Sequence, residues 1–343
     1  MGAGAAAARR ARAGGGPRAA VPARRRRGRR RGRRRVAAAH RAGRVRTDDA
    51  HLPWGGTGRV PWALEVTPER AGWRYAGLRV LTLPPGGTVT FDTGGEEMLV
   101  LPLAGACAVH CDGVRFALAG RPSVFAAVTD FAYLPRDATV TVEGEGRFAL
   151  PSTPATRRLS PRYGAARDVP VELRGAGPAS RQVNNFCAPD AFDCDRLVAV
   201  EVLTPGGNWS SYPPHKHEED RRHDDGTAEA ELEEIYYFEV AGGAPGDPAG
   251  PVGYQRVYGG DRPIDVLAEV RTGDVVLVPY GYHGPSMAAP GYDLYYLNVL
   301  AGPGPTRTMA CVDDPRHGWI RGSWADQPVD PRLPMAGPTT REA

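Results

Sequence analysis

Past His51 the chain repeats itself, and this constrains its fold more than any other feature. Leu83-Pro84-Pro85-Gly86-Gly87-Thr88, then Glu96-Glu97-Met98-Leu99-Val100-Leu101, then Ala132-Tyr133-Leu134-Pro135-Arg136-Asp137-Ala138-Thr139 make one copy. The other copy reads Leu203-Thr204-Pro205-Gly206-Gly207-Asn208, Glu233-Glu234-Ile235-Tyr236-Tyr237-Phe238 and Val276-Leu277-Val278-Pro279-Tyr280-Gly281-Tyr282-His283. Two copies of one pattern in the same order call for two copies of one fold. Each copy is a series of short β runs bounded by Gly, Pro and Asp, and 44 Gly and 33 Pro in 343 residues break up any long helix. After the Gly273-Asp274 turn, alternation gives way to Val275-Val276-Leu277-Val278, the pattern of a strand covered on both faces.

The expected class is therefore all-β, with two tandem jelly-roll β-barrels, a bicupin. Residues 49–178 form the N-terminal cupin, 179–305 the C-terminal cupin and 306–343 an extension, with the boundary near Arg174-Gly175-Ala176-Gly177-Pro178. Residues 1–48 are expected to be a disordered basic leader, because Ala, Gly, Arg, Pro and Val alone cannot bury enough apolar surface to offset their ordering entropy. The net charge of +4 is misleading, since 17 of the 43 basic residues precede position 47 and the remainder carries 26 basic against 39 acidic residues. So acidic a body repels nucleic acid. Lys216 is the single lysine beside 42 arginines, a bias expected of G- and C-rich coding sequence, and the leader is expected to be a wrongly assigned start. No apolar run reaches the ~18 residues of a membrane span. Five cysteines without a regular framework point to reduced thiols and a cytoplasmic protein.

The second copy carries the chemistry. In Tyr212-Pro213-Pro214-His215-Lys216-His217 the histidines stand at i and i+2, so an extended strand turns both rings to one face and Lys216 to the other. Glu234 opens the next strand and His283 closes the late one. His215, His217, Glu234 and His283 are thus the expected ligands of one divalent metal ion, with zinc or manganese favoured over iron and nickel. The charged insertion Glu218–Leu232 separates the histidines from the carboxylate, and Glu234 is preferred to Glu233 because the repeat aligns it with Glu97. The first copy has no such set: Thr139 stands where the second has His283.

Several longer stretches resemble the 5-deoxy-glucuronate isomerase family, related to the 5-keto-4-deoxyuronate isomerases. They are Arg181-Gln182-Val183-Asn184-Asn185-Phe186, Gly206 to His217 (GGNWSSYPPHKH), Glu233 to Phe238, Gly253-Tyr254-Gln255-Arg256-Val257-Tyr258 and His283-Gly284-Pro285-Ser286-Met287. The similarity runs from about Val60 to about Trp324. It implies an aldose-ketose isomerase of myo-inositol catabolism converting 5-deoxy-D-glucuronate to 5-dehydro-2-deoxy-D-gluconate through a metal-stabilised enediolate. Such a reaction needs a cation near C1 and C2 and a base within reach of the C2 proton. Tyr282, Tyr296 and a hydroxide on the ion are the candidate bases. Arg181 and Arg256, each inside a matching stretch, are the candidate substrate-binding residues, since a guanidinium holds a carboxylate through two bonds. The expected partner is a small sugar acid, with neither membrane nor nucleic acid, and a homo-oligomer is compatible with this reading. The alternatives are a metal-dependent cupin dioxygenase and a non-catalytic sugar-acid-binding cupin.

Overall fold

The computed structural model describes residues 45–260 and 262–337, so the expectation for residues 1–44 lies outside the described residues. The first unit is a single sheet that curls on itself. Its strands run in the order Trp62–Val66, Gly77–Asp92, Thr139–Pro154, Glu96–Cys111, Phe131–Leu134 and Arg162–Gly164, with Val114–Arg121 also paired to Glu96–Cys111. Three of these strands are 16 residues long and cannot stay flat. Register shifts at Leu83/Gly87 and Pro102/Ala104 bend them, as bulges do. Gly105 and Gly146 face each other across the sheet at positive φ, where a side chain on either would collide with the opposite backbone. Leu81, Met98, Val100, Val142, Phe148 and Leu150 fill this barrel.

The second unit is a sandwich. Its first sheet runs Val45–Arg46, Ile264–Val270, Gly253–Tyr258, Tyr282–Ala288, His215–Lys216, Val312–Asp313, with Trp209–Ser210 also on the Tyr282 strand. Its second runs Val171–Arg174, Arg181–Asn184, Val198–Thr204, Leu294–Ala301, Glu233–Val240, Val275–Val278, His51–Leu52. The segment after residue 44 therefore straps the second barrel. Val45, expected in the leader, is buried against this unit and pairs with Ile264, because a β-branched side chain beside an open strand edge gains both burial and backbone bonds. The strand Val171–Arg174 likewise joins the second unit. At the other end, the amides of Met335 and Ala336 donate to Gln182 and the amide of Val128 donates to Gly337, which ties the C-terminal segment to both barrels.

The outer face of the second sheet packs on the first barrel. Ile235, Tyr237, Leu297 and Val299 form one continuous cluster with Leu64, Leu78, Leu99 and Tyr133, so the two barrels share a core. Two ion pairs cross it: Arg121–Glu201 at 2.7 Å, fully buried, and Arg147–Glu239 at 2.7 Å. The apolar run Val275–Val278 lies inside that sheet, between Glu233–Val240 and His51–Leu52. No helix among the described residues is long and apolar enough to cross a membrane.

Candidate metal centre

Backbone pairing brings the ligand candidates together from both sheets. His215 sits opposite His283 on neighbouring strands, while Glu234 pairs with Val278 and Leu300 on the facing sheet. His217, Glu234 and His283 are buried and present one ligand atom each within 4.8 Å of one another. His215 lies beside them, its ring centroid 4.4 Å from that of His283 and 6.4 Å from that of His217, but outside that tight group.

The histidines are oriented alike. Nδ1 of His217 lies 3.1 Å from the Leu232 carbonyl, Nδ1 of His283 3.1 Å from that of Gly281, and Nδ1 of His215 3.4 Å from that of Pro213. A carbonyl only accepts, so each Nδ1 carries the proton and each Nε2 offers a lone pair, the usual arrangement behind a metal-binding imidazole. One oxygen of Glu234 stands 2.9 Å from His217 Nε2 and 3.0 Å from His283 Nε2. Two donors each ~2.1 Å from one ion at a right angle would be about 3.0 Å apart. Although that close to the carboxylate, His283 Nε2 is misdirected for a hydrogen bond and is a buried polar atom without a partner. The donor set therefore fits a divalent cation.

Electrostatics agree with a cation site. Burial alone would raise the Glu234 pKa, but His283 and His217 outweigh it and hold the carboxyl well below the usual range. Burial, reinforced by the neighbouring His283, pushes His215 well down, so that ring is neutral. Glu233 serves the interface between the barrels. Its carboxylate points to the first barrel and accepts from the backbone amides of Arg74, Tyr75 and Ala76 at 2.8, 2.7 and 3.0 Å. Glu97 does the reciprocal thing, accepting from Asp195, Arg196 and Leu197 of the second unit at 2.8, 2.6 and 2.7 Å. The structural counterpart of Glu97 is therefore Glu233, and that of Glu234 is Met98, which pairs with Leu134 as Glu234 pairs with Val278. The repeat alignment behind the choice of Glu234 is off by one residue.

The remaining candidates divide by face. Arg181 pairs through its strand with the Thr204 end of Val198–Thr204 and shares the inner face with Val183, Val202, Tyr296 and Glu234, as the registers dictate. It is buried, its guanidinium donates to the carbonyls of Ala179 and Tyr212 at 3.1 and 3.4 Å, and it lies 5.6 Å from the centre of the Trp324 ring. It has no carboxylate partner among the described residues, and burial pulls its pKa down to about 10. Tyr296 is also inside: its hydroxyl and that of Tyr236 share Ser211 Oγ at 3.0 and 3.2 Å. Tyr282 is adjacent to His283 in an extended strand and so faces the opposite way, its ring 5.7 Å from Tyr258 and 5.8 Å from Lys216 Nζ. Arg256 lies on that outer face too, bonded to Asp265 at 2.8 Å and to the carbonyls of Val257 and Val266. The structure thus brings Arg181 and Tyr296 into the barrel with the ligand group and leaves Tyr282 and Arg256 outside.

Sequence reasoning passed over Ser211, Tyr236, Gln255 and Asn298, all of them buried and polar or hydroxyl-bearing in the second barrel. A lone Asn within Leu294–Ala301 (LYYLNVLA) is a legible signal, because an apolar strand seldom spends a buried position on an amide. Ser211 had no such signal, since its role depends on a backbone at φ 48°.

Tandem jelly-roll barrels with a buried His/Glu group in one of them define a cupin protein of the two-barrel kind. Residues 54–320 match the model of the KduI/IolB family, and the chain belongs to that family. The 5-deoxy-glucuronate isomerase of Geobacillus kaustophilus is 40% identical over 264 residues, 76% of this chain and 91% of that protein. The protein of the same name from Bacillus subtilis strain 168 is 37% identical over 260 residues, 75% and 91% of the two chains. The crystal structure of an IolB-like protein from Salmonella typhimurium matches with a TM-score of 0.70 at 33% identity, covering 79% of this chain and 98% of that one. Bacillus subtilis oxalate decarboxylase, TM-score 0.53 at 13% identity over 79% and 80% of the chains, shares the fold.

Proposed function

We propose that the chain is an aldose-ketose isomerase converting 5-deoxy-D-glucuronate to 5-dehydro-2-deoxy-D-gluconate in myo-inositol catabolism, with one divalent cation, zinc or manganese, held by His217, Glu234 and His283 and with His215 beside them. The family and the relatives of that name support the reaction. The observation that carries it in this chain is the pairing, inside one barrel, of a His/Glu group with a buried arginine that has no acidic partner among the described residues. A sugar acid has both complements, an aldehyde end and a carboxylate end.

His217, Glu234 and His283 would hold the cation, which when bound would supply positive charge to stabilise an enediolate. Arg181 takes the carboxylate, which restores a counter-charge to a buried guanidinium. Tyr296 lies between these ends. Burial pushes its pKa up, so its hydroxyl keeps its proton at neutral pH and donates to a substrate oxygen instead of stripping a C–H bond. The shared core excludes water from the back of the sheet and fixes the inner-face side chains, so the two ends are held at a set spacing. Five free cysteines accord with a cytoplasmic enzyme.

The test is NMR of the purified chain with 5-deoxy-D-glucuronate in deuterated water, with and without chelator. Ketose should accumulate, deuterium should enter at C1, and both should stop on cation removal. A fully metal-loaded chain that leaves the aldose unchanged would refute the assignment.

A further inference from the structure

The inner face of the second barrel holds two carboxamides to which the isomerisation gives no role. Asn298 is 5% exposed and Gln255 is fully buried. They come from opposite sheets, Asn298 from Leu294–Ala301 and Gln255 from Gly253–Tyr258. Asn298 is paired with Tyr236, so it stands on the rung between the Glu234–Leu300 pair and the Phe238–Tyr296 pair. It therefore lies between the ligand group and the Tyr296 end toward which Arg181 reaches. Gln255 precedes by two residues Val257, which is paired with His283, and its Oε1 accepts from Ser286 Oγ. Asn298 points toward the Tyr236 hydroxyl and, as a weak donor to it, offsets part of the upward push that burial gives that phenol. Even so, in both amides the NH2 group meets no acceptor at hydrogen-bond geometry among the described residues.

Leaving a buried amide donor unpaired is destabilising, so a native site seldom does it without a ligand to meet it. Two such groups, on facing sheets of one barrel and joined there by the orphaned His283 Nε2, form an unmet set of donors and ligand atoms. What they lack is oxygen acceptors spaced along the line from the ligand group toward Arg181. A linear sugar acid bound by its aldehyde end and its carboxylate presents its middle hydroxyls there. We propose that Asn298 and Gln255 are binding residues whose amide N–H groups donate to the C3 and C4 hydroxyls of the open-chain substrate, and so select a polyhydroxylated acid over a deoxygenated one. This rests on the isomerase reading.

The experiment compares the metal-loaded full chain with Asn298→Leu and Gln255→Met, recording kcat, KM, Tm and bound metal, and also measures the parent chain on analogues of 5-deoxy-D-glucuronate lacking the C3 or the C4 hydroxyl. Both variants should keep their metal while kcat/KM falls about 10-fold. Asn298→Leu should also keep its Tm, because an apolar group of similar size replaces an unpaired donor, whereas Gln255→Met frees the buried Ser286 hydroxyl and should lower Tm. At least one analogue should lose about as much or more on the parent chain, a reading that needs no variant to fold. The proposal is overturned if folded, metal-loaded variants keep kcat and KM within twofold, which would mean that the amides serve a structural water only. It is overturned equally by an Asn298→Leu variant that loses Tm in step with activity, or by analogues turned over like the substrate. A parent chain inactive on 5-deoxy-D-glucuronate itself would sink the isomerase reading and this inference with it, whereas an active parent with indifferent variants sinks this inference alone.

Discussion

In the first barrel Met98, Val100, Phe148 and Leu150 meet in the space that, in the second, holds Glu234, Tyr236, Tyr296 and Asn298. The frame is the same and the registers run alike, yet one interior is a closed apolar core and the other keeps buried polar atoms unpaired. The difference shows where a duplicated fold puts chemistry. A barrel that must only be stable fills itself with Leu, Val and Phe, whereas a barrel that must bind leaves polar groups unsatisfied and draws stability from its neighbour through the shared core. The reciprocal clamps show how close the two remain. Glu97 and Glu233 each cap three backbone amides just ahead of a strand in the opposite barrel, so the parts facing the interface kept their symmetry while the interiors diverged.

The comparison breaks most sharply at Glu234 and its counterpart Met98. Glu234→Gln should lose the bound metal and about 1000-fold in turnover, while Met98→Leu keeps both, read by elemental analysis and kinetics. Retained metal in Glu234→Gln would remove the residue from the ligand set. Two buried arginines give the next contrast. Arg121→Met strands Glu201, with both side chains at 0% exposure, and should cost about 3–5 kcal/mol in denaturant unfolding. Arg181→Met strands no acid, so its stability should hold or rise while KM increases about 10-fold or more. Arg256→Met, on the outer face, should leave KM within twofold.

Smaller effects sharpen the symmetric part. Glu97→Gln and Glu233→Gln should each destabilise the chain by about 1–3 kcal/mol and leave the metal bound; unequal losses would show that the clamps are not equivalent. Last comes acid sensitivity. Burial would raise the Asp195 pKa, but Arg157 and the amides of Thr156 and Arg157 hold it well below the carboxylate range. Its contribution is present above the unfolded value of ~4 and fades as pH falls through and below it, so Asp195→Asn should flatten the acid side of the stability curve.

Much of the second barrel was readable from local pattern. An i, i+2 pair of histidines needs only strand alternation to face one way, and His283 follows a turn that ends a recognisable apolar run. Alternation also turned Lys216 outward, where it bonds Glu218 at 2.7 Å. Applied to Tyr282, the same rule points away from the site, since it neighbours an inward-facing ligand. Arg181 and Arg256 could not be told apart in the sequence because both sit in matching stretches. Only the registers show which one faces inward, and only the assembled structure shows that Asp265 neutralises the other.

The chain's own order of residues determined the duplicated β architecture and the ligand types, because periodicity and spacing are local properties that each strand carries with it. The tertiary structure alone decided which glutamate of the Glu233-Glu234 pair clamps the neighbouring barrel and that Val45 belongs to the second unit. It also decided which buried donors go without partners. Those outcomes depend on what lies across a sheet or a core, between residues tens to hundreds of positions apart, and no local pattern records such a distance.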